Sequence, residues 1–154
     1  MAYIRVLRGM NHFTKSLIFP APIEKGMCVQ EVAADKTTGE PATNAFAGIV
    51  IQNVTATGPD FASQNAGIPT DEIPVNHAAT LRVGDGEIVT DMVVLAPTAG
   101  NLAGATVGNN LGIVGGKWRV AQSGDLVFGK LLEKDFGEVG RYRIQAFQTA
   151  VVTP

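Results

Sequence analysis

The chain has 154 residues, a formal charge of −2, 17% charged residues and one cysteine. This length suits one domain with a substantial core. A single cysteine excludes an intrachain disulfide framework, and no apolar run is long enough to span a bilayer as a helix.

Charge is unevenly placed. Residues 1–30 carry Arg5, Arg8, Lys15 and Lys25 against Glu24 alone. Residues 31–91 are acidic, with only Lys36 and Arg82 as bases. No broad basic surface follows, so nucleic acid is not an expected partner. The first residues lack the continuous apolar stretch of a secretion signal, since Arg5, Arg8, Asn11 and His12 interrupt it. A chain made in a cytoplasm, with no membrane partner, is the expectation.

In chain order, residues 1–25 read as an extended arm leading into the domain. Tyr3-Ile4-Arg5-Val6-Leu7 alternates weakly, and Pro20-Ala21-Pro22 enforces an extended path. The arm is too apolar to float free; it must pack on its own barrel or on a neighbour. Residues 26–154 read as a single β domain. A first strand is predicted over 27–33, followed by a turn cluster over 35–41. Phe46 to Val54 is rich in β-branched residues and reads as a buried strand, with Gly48 at a bulge or close approach. Residues 56–78 read as a long irregular loop.

Leu81-Arg82-Val83, Gly84-Asp85-Gly86 and Glu87-Ile88-Val89 read as a β-hairpin. A second long connection is predicted over 98–116. Strands then begin at Lys117 and at Leu126. Tyr142, Ile144 and Ala146 alternate with Arg143 and Gln145, the period-two pattern of a half-buried strand. Lys130 to Phe136 is the best candidate for a short helix. Together these elements predict an all-β fold: a small antiparallel barrel or sandwich with an N-terminal arm and long Gly/Pro-rich loops.

The chain carries little that reads as chemistry. Gly112-Ile113-Val114-Gly115-Gly116-Lys117-Trp118 resembles a phosphate loop at a glance. However, Leu111 replaces its first glycine and Trp118 its magnesium-holding hydroxyl, so it reads as a turn. His12 and His77 have no ligand-type neighbours at metal spacing. Cys28, in Met27-Cys28-Val29, reads as a small buried hydrophobe. Trp118 and Tyr142 lie among Arg119, Arg141 and Arg143; the pattern reads as strands with aromatics inward and bases outward. No catalytic residue, cofactor or metal is expected, and the chain reads as a non-enzyme.

Phe46-Ala47-Gly48-Ile49-Val50 sets a hydrophobic-glycine step that returns as Leu126-Val127-Phe128-Gly129-Lys130. A closing strand follows the turn Gly137-Glu138-Val139-Gly140. With the N-terminal arm, this pattern resembles the small β-barrel head decoration, or cement, proteins of tailed bacteriophages. The resemblance covers residues 26–54 and 79–152.

It implies a structural virion protein on the outer surface of the mature capsid, assembled in the bacterial host cytoplasm. Its partners would be the major capsid protein and neighbouring copies of itself, as trimers or dimers. The arm residues expected to make contact are Tyr3, Ile4, Arg5, Val6, Leu7, Arg8, Phe13 and Lys15. Arg5 and Arg8 would meet carboxylates, while Ile4, Val6, Leu7 and Phe13 would bury on the partner. The rival readings are a carbohydrate- or host-surface-binding β module using the loops at 56–78 and 98–116, or another virion component such as a tail-tube or minor head protein.

Overall fold

The computed structural model describes residues 3–9, 13–32, 34–56 and 72–152. Strands dominate: β1 (Ile4–Gly9), β2 (Phe13–Ile18), β3 (Cys28–Glu31), β4 (Gly39–Pro41), β5 (Gly48–Val50), β6 (Asn53–Thr55), β7 (Glu72–Pro74), β8 (Ala78–Val83), β9 (Gly86–Thr90), β10 (Asn110–Val114), β11 (Lys117–Val120), β12 (Leu126–Glu133) and β13 (Tyr142–Val152). A single 3₁₀ turn, Leu102–Gly104, is the helical element among the described residues.

Two antiparallel sheets form a sandwich. Sheet I has the order β1-β9-β13-β12-β10-β11, and sheet II the order β2-β8-β5-β3-β4. A small parallel pair, β6–β7, is separate. The sheets share one long seam. β1 pairs with β9 in sheet I, and β2 pairs with β8 in sheet II. Because β1-β2 and β8-β9 are each consecutive in the chain, the two pairings are halves of one antiparallel ribbon bent between the sheets.

The opposite side is stitched by backbone bonds from sheet II to the β10–β11 hairpin. The Cys28 N–H donates to the Gly116 carbonyl (2.9 Å), that of Gly116 to Ala42 (2.8 Å), and that of Asn44 to Ile113 (2.9 Å). Sheet II also curls until Ile18 on β2 bridges Thr38, beside β4.

In sheet II, β5 and the start of β3 are buried on both faces. Cys28 and Ile49 face sheet I and join Ile88, Leu111, Ile113, Trp118, Leu131 and Ile144 in the inter-sheet core. Val29, Val50, Ala79 and Leu81 point the other way, into a second cluster with Leu17, Phe19, Ile23 and Val54. A strand covered on both faces needs no polar alternation, so Gly48-Ile49-Val50 is buried throughout. Sheet I has one wet face, and Tyr142, Ile144 and Ala146 are buried as their alternation predicts.

The two hydrophobic-glycine steps serve close packing. A β-carbon at Gly129 would stand 2.7 Å from Cζ3 of Trp118, and one at Gly48 would stand 2.6 Å from Cδ1 of Leu81. Trp118 is 0% exposed. The Phe46 ring, entering from sheet II's side, meets Trp118 edge-on at 5.6 Å and Phe128 at 5.9 Å. Such aromatic pairs add about 0.5–1.5 kcal/mol each beyond the area they bury.

Several predicted elements differ. The expected hairpin at Gly84-Asp85-Gly86 is a corner: Gly84, at φ +118°, lets the chain leave sheet II and enter sheet I. Both arrangements place glycine between two alternating runs, so the pattern cannot separate them. Lys130 to Phe136, the expected short helix, is not helical: residues 130–133 lie within β12, which ladders with β10 and β13, and residues 134–136 follow the strand as irregular chain. The predicted loop at 98–116 contains β10, whose hairpin with β11 turns on Gly115 and Gly116 at φ +57° and +81°. Those paired positive angles suit the tight turn of a hairpin, and they account for the phosphate-loop look-alike. Of the loop at 56–78, residues 57–71 lie outside the described residues, and the remainder includes β7.

The Trp118–Gly129 contact yields a direct test. Gly129→Ala should cost about 1–3 kcal/mol, the usual penalty of overpacking a filled core. Urea unfolding followed by the emission of Trp118, the one tryptophan, measures it; an unchanged midpoint would mean that the ring shifts freely.

Candidate functional site

The residues expected to meet a partner form the edge half of the bent ribbon. Among the described residues β1 is paired on one side only, to β9, whereas β2 is paired with β8 and is bridged on its other side from Ile18 to Thr38. Edge strands present unpaired backbone groups that another extended segment can meet. The segment is therefore strand rather than free arm, and it lies on its own domain. Ile4 and Val6 are half-buried and pack against the inter-sheet core. Their β9 partners in register are Thr90 and Ile88, both buried. Arg5 faces the other way, opposite Val89, and is exposed.

Leu7 is the extra residue of a β-bulge, since the ladder shifts between Val6 and Arg8; bulges of this kind twist and blunt an edge. Lys15, on β2, is ion-paired with Glu31 of β3. Arg8 and Phe13 hold strand positions opposite Glu87 and Val83; their side chains lie outside the described residues.

Tyr3 is latched. Its backbone N–H donates to Asp91 Oδ1 at 2.8 Å, and its carbonyl accepts from the Asp91 N–H at 3.4 Å. Its ring lies under the Arg141 guanidinium, 3.7 Å from centroid to Cζ, a cation–π contact. Arg141 reads in the sequence only as an outward base beside Tyr142, and no local signal ties it or Asp91 to Tyr3, from which Asp91 lies 88 and Arg141 138 positions away.

Beneath β1 an apolar cleft lined by Ile4, Val6, Phe46, Ile49, Ile88 and Ala146 holds about 30 Å³ of water-accessible space. That is room for about one or two waters. Arg82 also lines it, and its Nε is buried without a hydrogen-bond partner.

The basic residues around the buried aromatics are committed to carboxylates. Arg119 grips Asp125 through Nε (3.1 Å) and Nη2 (2.8 Å). Arg143 Nη2 bonds Glu87 at 2.8 Å, and this hydrogen bond is the main reason its guanidinium holds its proton more tightly than usual. Burial pushes the Cys28 thiol well above its ordinary range, so it is no nucleophile in the folded protein. No cluster of three or more His, Cys, Asp or Glu able to hold a metal occurs among the described residues. No helix among them is long and apolar enough to cross a membrane. Comparison with protein-family models, curated proteins and solved structures finds no match to this chain.

Two outcomes check this geometry. Asp91→Ala removes the acceptor of the Tyr3 N–H and should speed amide exchange along β1 while leaving β12 protected, at a cost of about 1 kcal/mol; unchanged β1 exchange would show that the latch is idle. Cys28 should react with a disulfide reagent only as fast as the protein unfolds, and labelling at the rate of a free thiol would show that the sheets part readily.

Proposed function

We propose that this chain is a structural virion protein that binds the outer surface of a mature phage capsid and stabilises it. The observation that carries the reading is the position of the N-terminal segment. Its first strand, β1, is an edge of sheet I among the described residues, and Arg5 on that strand is exposed to solvent. An extended segment of a shell protein could add to β1 by backbone pairing, with Arg5 meeting a shell carboxylate. A sandwich joined along both sides supplies a rigid body, so little order must be gained on docking. Weak contacts repeated over a symmetric shell then combine into tight overall attachment.

The structure changes how the proposal must be tested. Removing residues 2–19 would delete Leu17 and Phe19, both fully buried, and would unfold sheet II along with the contact surface. Arg5→Glu leaves the core intact. Co-sedimentation with mature and immature heads of the encoding phage, stripped of this protein, is the measurement. Wild type should saturate mature heads, and Arg5→Glu should bind about tenfold more weakly, equivalent to ~1.4 kcal/mol. Undiminished binding by the folded variant would remove β1 from the contact surface. Failure of wild type to bind either form would remove the capsid reading itself.

A further inference from the structure

The pairing of β1 with β9 fixes which of its backbone groups face outward. Tyr3 and Asp91 form a hydrogen-bonded pair, since the Asp91 N–H donates to the Tyr3 carbonyl at 3.4 Å. Bonded and non-bonded pairs alternate along an antiparallel ladder. Arg5, opposite Val89, is therefore bonded to β9. Ile4, opposite Thr90, and Val6, opposite Ile88, turn their N–H and C=O groups away from β9. Among the described residues no backbone bond from outside the ladder reaches these groups. The free stretch is short, because the Tyr3 latch closes one end and the bulge at Leu7 the other.

The side chains on either face of this stretch differ. On the outer face stands Arg5, between the two free positions. Arg119, Arg141 and Arg143 are each matched to a carboxylate. Arg5 is exposed and is matched to none among the described residues. On the inner face, Ile4 and Val6 form one wall of the apolar cleft. Ile49 and Ile88, deeper in it, are only 6% and 4% exposed, whereas Ile4, Val6 and Ile51 are half-buried. Exposure therefore rises toward β1, and the cleft opens on the side of its unpaired edge. About 30 Å³ of space takes a methyl or isopropyl group but not a ring.

We propose that β1 selects its partner strand by a three-residue pattern: small aliphatic, acidic, small aliphatic. This rests on the reading that β1 meets a shell protein, and it names the kind of shell segment taken. Every ladder of sheet I is antiparallel, and an added strand continues that form. Its residues opposite Ile4 and Val6 share their face and point to the cleft, while the residue between them points outward beside Arg5. Backbone bonds to Ile4 and Val6 supply affinity, and the alternate side chains supply selection. The cleft selects by exclusion: a small side chain covers it, and a large one holds the strand away. Arg5 selects by charge, since it attracts an acid and repels a base at the middle position.

The test titrates the blocked peptide Thr-Val-Glu-Val-Thr into the isotope-labelled full-length protein, followed by NMR at millimolar peptide. The amide signals of Ile4 and Val6 should shift saturably. Replacing the peptide's glutamate by lysine, or its valines by phenylalanine, should weaken binding at least about fivefold. Val6→Pro removes one outward N–H at a position where an edge strand accepts proline; it should abolish the titration while Trp118 emission is unchanged. Should that variant not fold, Arg5→Glu serves, and it should reverse the preference so that the lysine peptide binds better. Absence of shifts in β1, equal binding of the lysine or phenylalanine peptide, or a preference unmoved by Arg5→Glu overturns the proposal. Stripped mature heads separate it from the reading beneath it. Head binding by wild type without peptide binding overturns the pattern alone. Peptide binding without head binding supports the pattern and removes the capsid as its source.

Discussion

The bent ribbon of β1-β2 against β8-β9 is the constraint on which the rest of the structure depends. It belongs half to each sheet, so the direction in which it bends decides how the sheets face one another. Once the sheets overlap, Cys28 and Ile49 of one meet Ile88, Trp118 and Ile144 of the other. The backbone bonds at Gly116, Ala42 and Asn44 then fasten the far side. A chain closed along both sides leaves few unpaired edges, which protects an all-β protein against pairing with the wrong neighbour.

The same geometry gives the N-terminal strands a double duty. Leu17 and Phe19 are core residues, and Ile4 and Val6 pack on the inter-sheet core. The hydrophobicity of Ile4, Val6, Leu17 and Phe19 is therefore satisfied within the molecule, and what β1 leaves for a partner is backbone edge and the outward Arg5. A contact built this way relies on backbone pairing and charge rather than on apolar burial. The latch at Tyr3 and the bulge at Leu7 lie at opposite ends of the usable edge.

Glycine usage shows how closely the cores are filled. Gly48 and Gly129 end similar-looking hydrophobic steps, and each sits where a side chain would collide with a large neighbour, Leu81 or Trp118. A repeated motif in sequence thus corresponds to a repeated packing solution, one in each sheet, with Phe46 bridging between the two steps.

The sequence by itself determined the all-β class, the inward set Tyr142, Ile144 and Ala146, the inert Cys28 and the turn nature of Gly115-Gly116. Each depends on spacing or residue type within a few positions, and local backbone physics reads such signals directly. Only the tertiary structure decided that Gly84 is a corner rather than a hairpin, that the N-terminal segment is two strands with β1 at a sheet edge, and that Tyr3 is held by Asp91 and Arg141. Alternation tells a strand which side is apolar; it does not say which sheet the strand joins, because any apolar face of the right width will cover it. That choice is made by contacts between residues tens of positions apart, and those contacts exist only once the chain has folded.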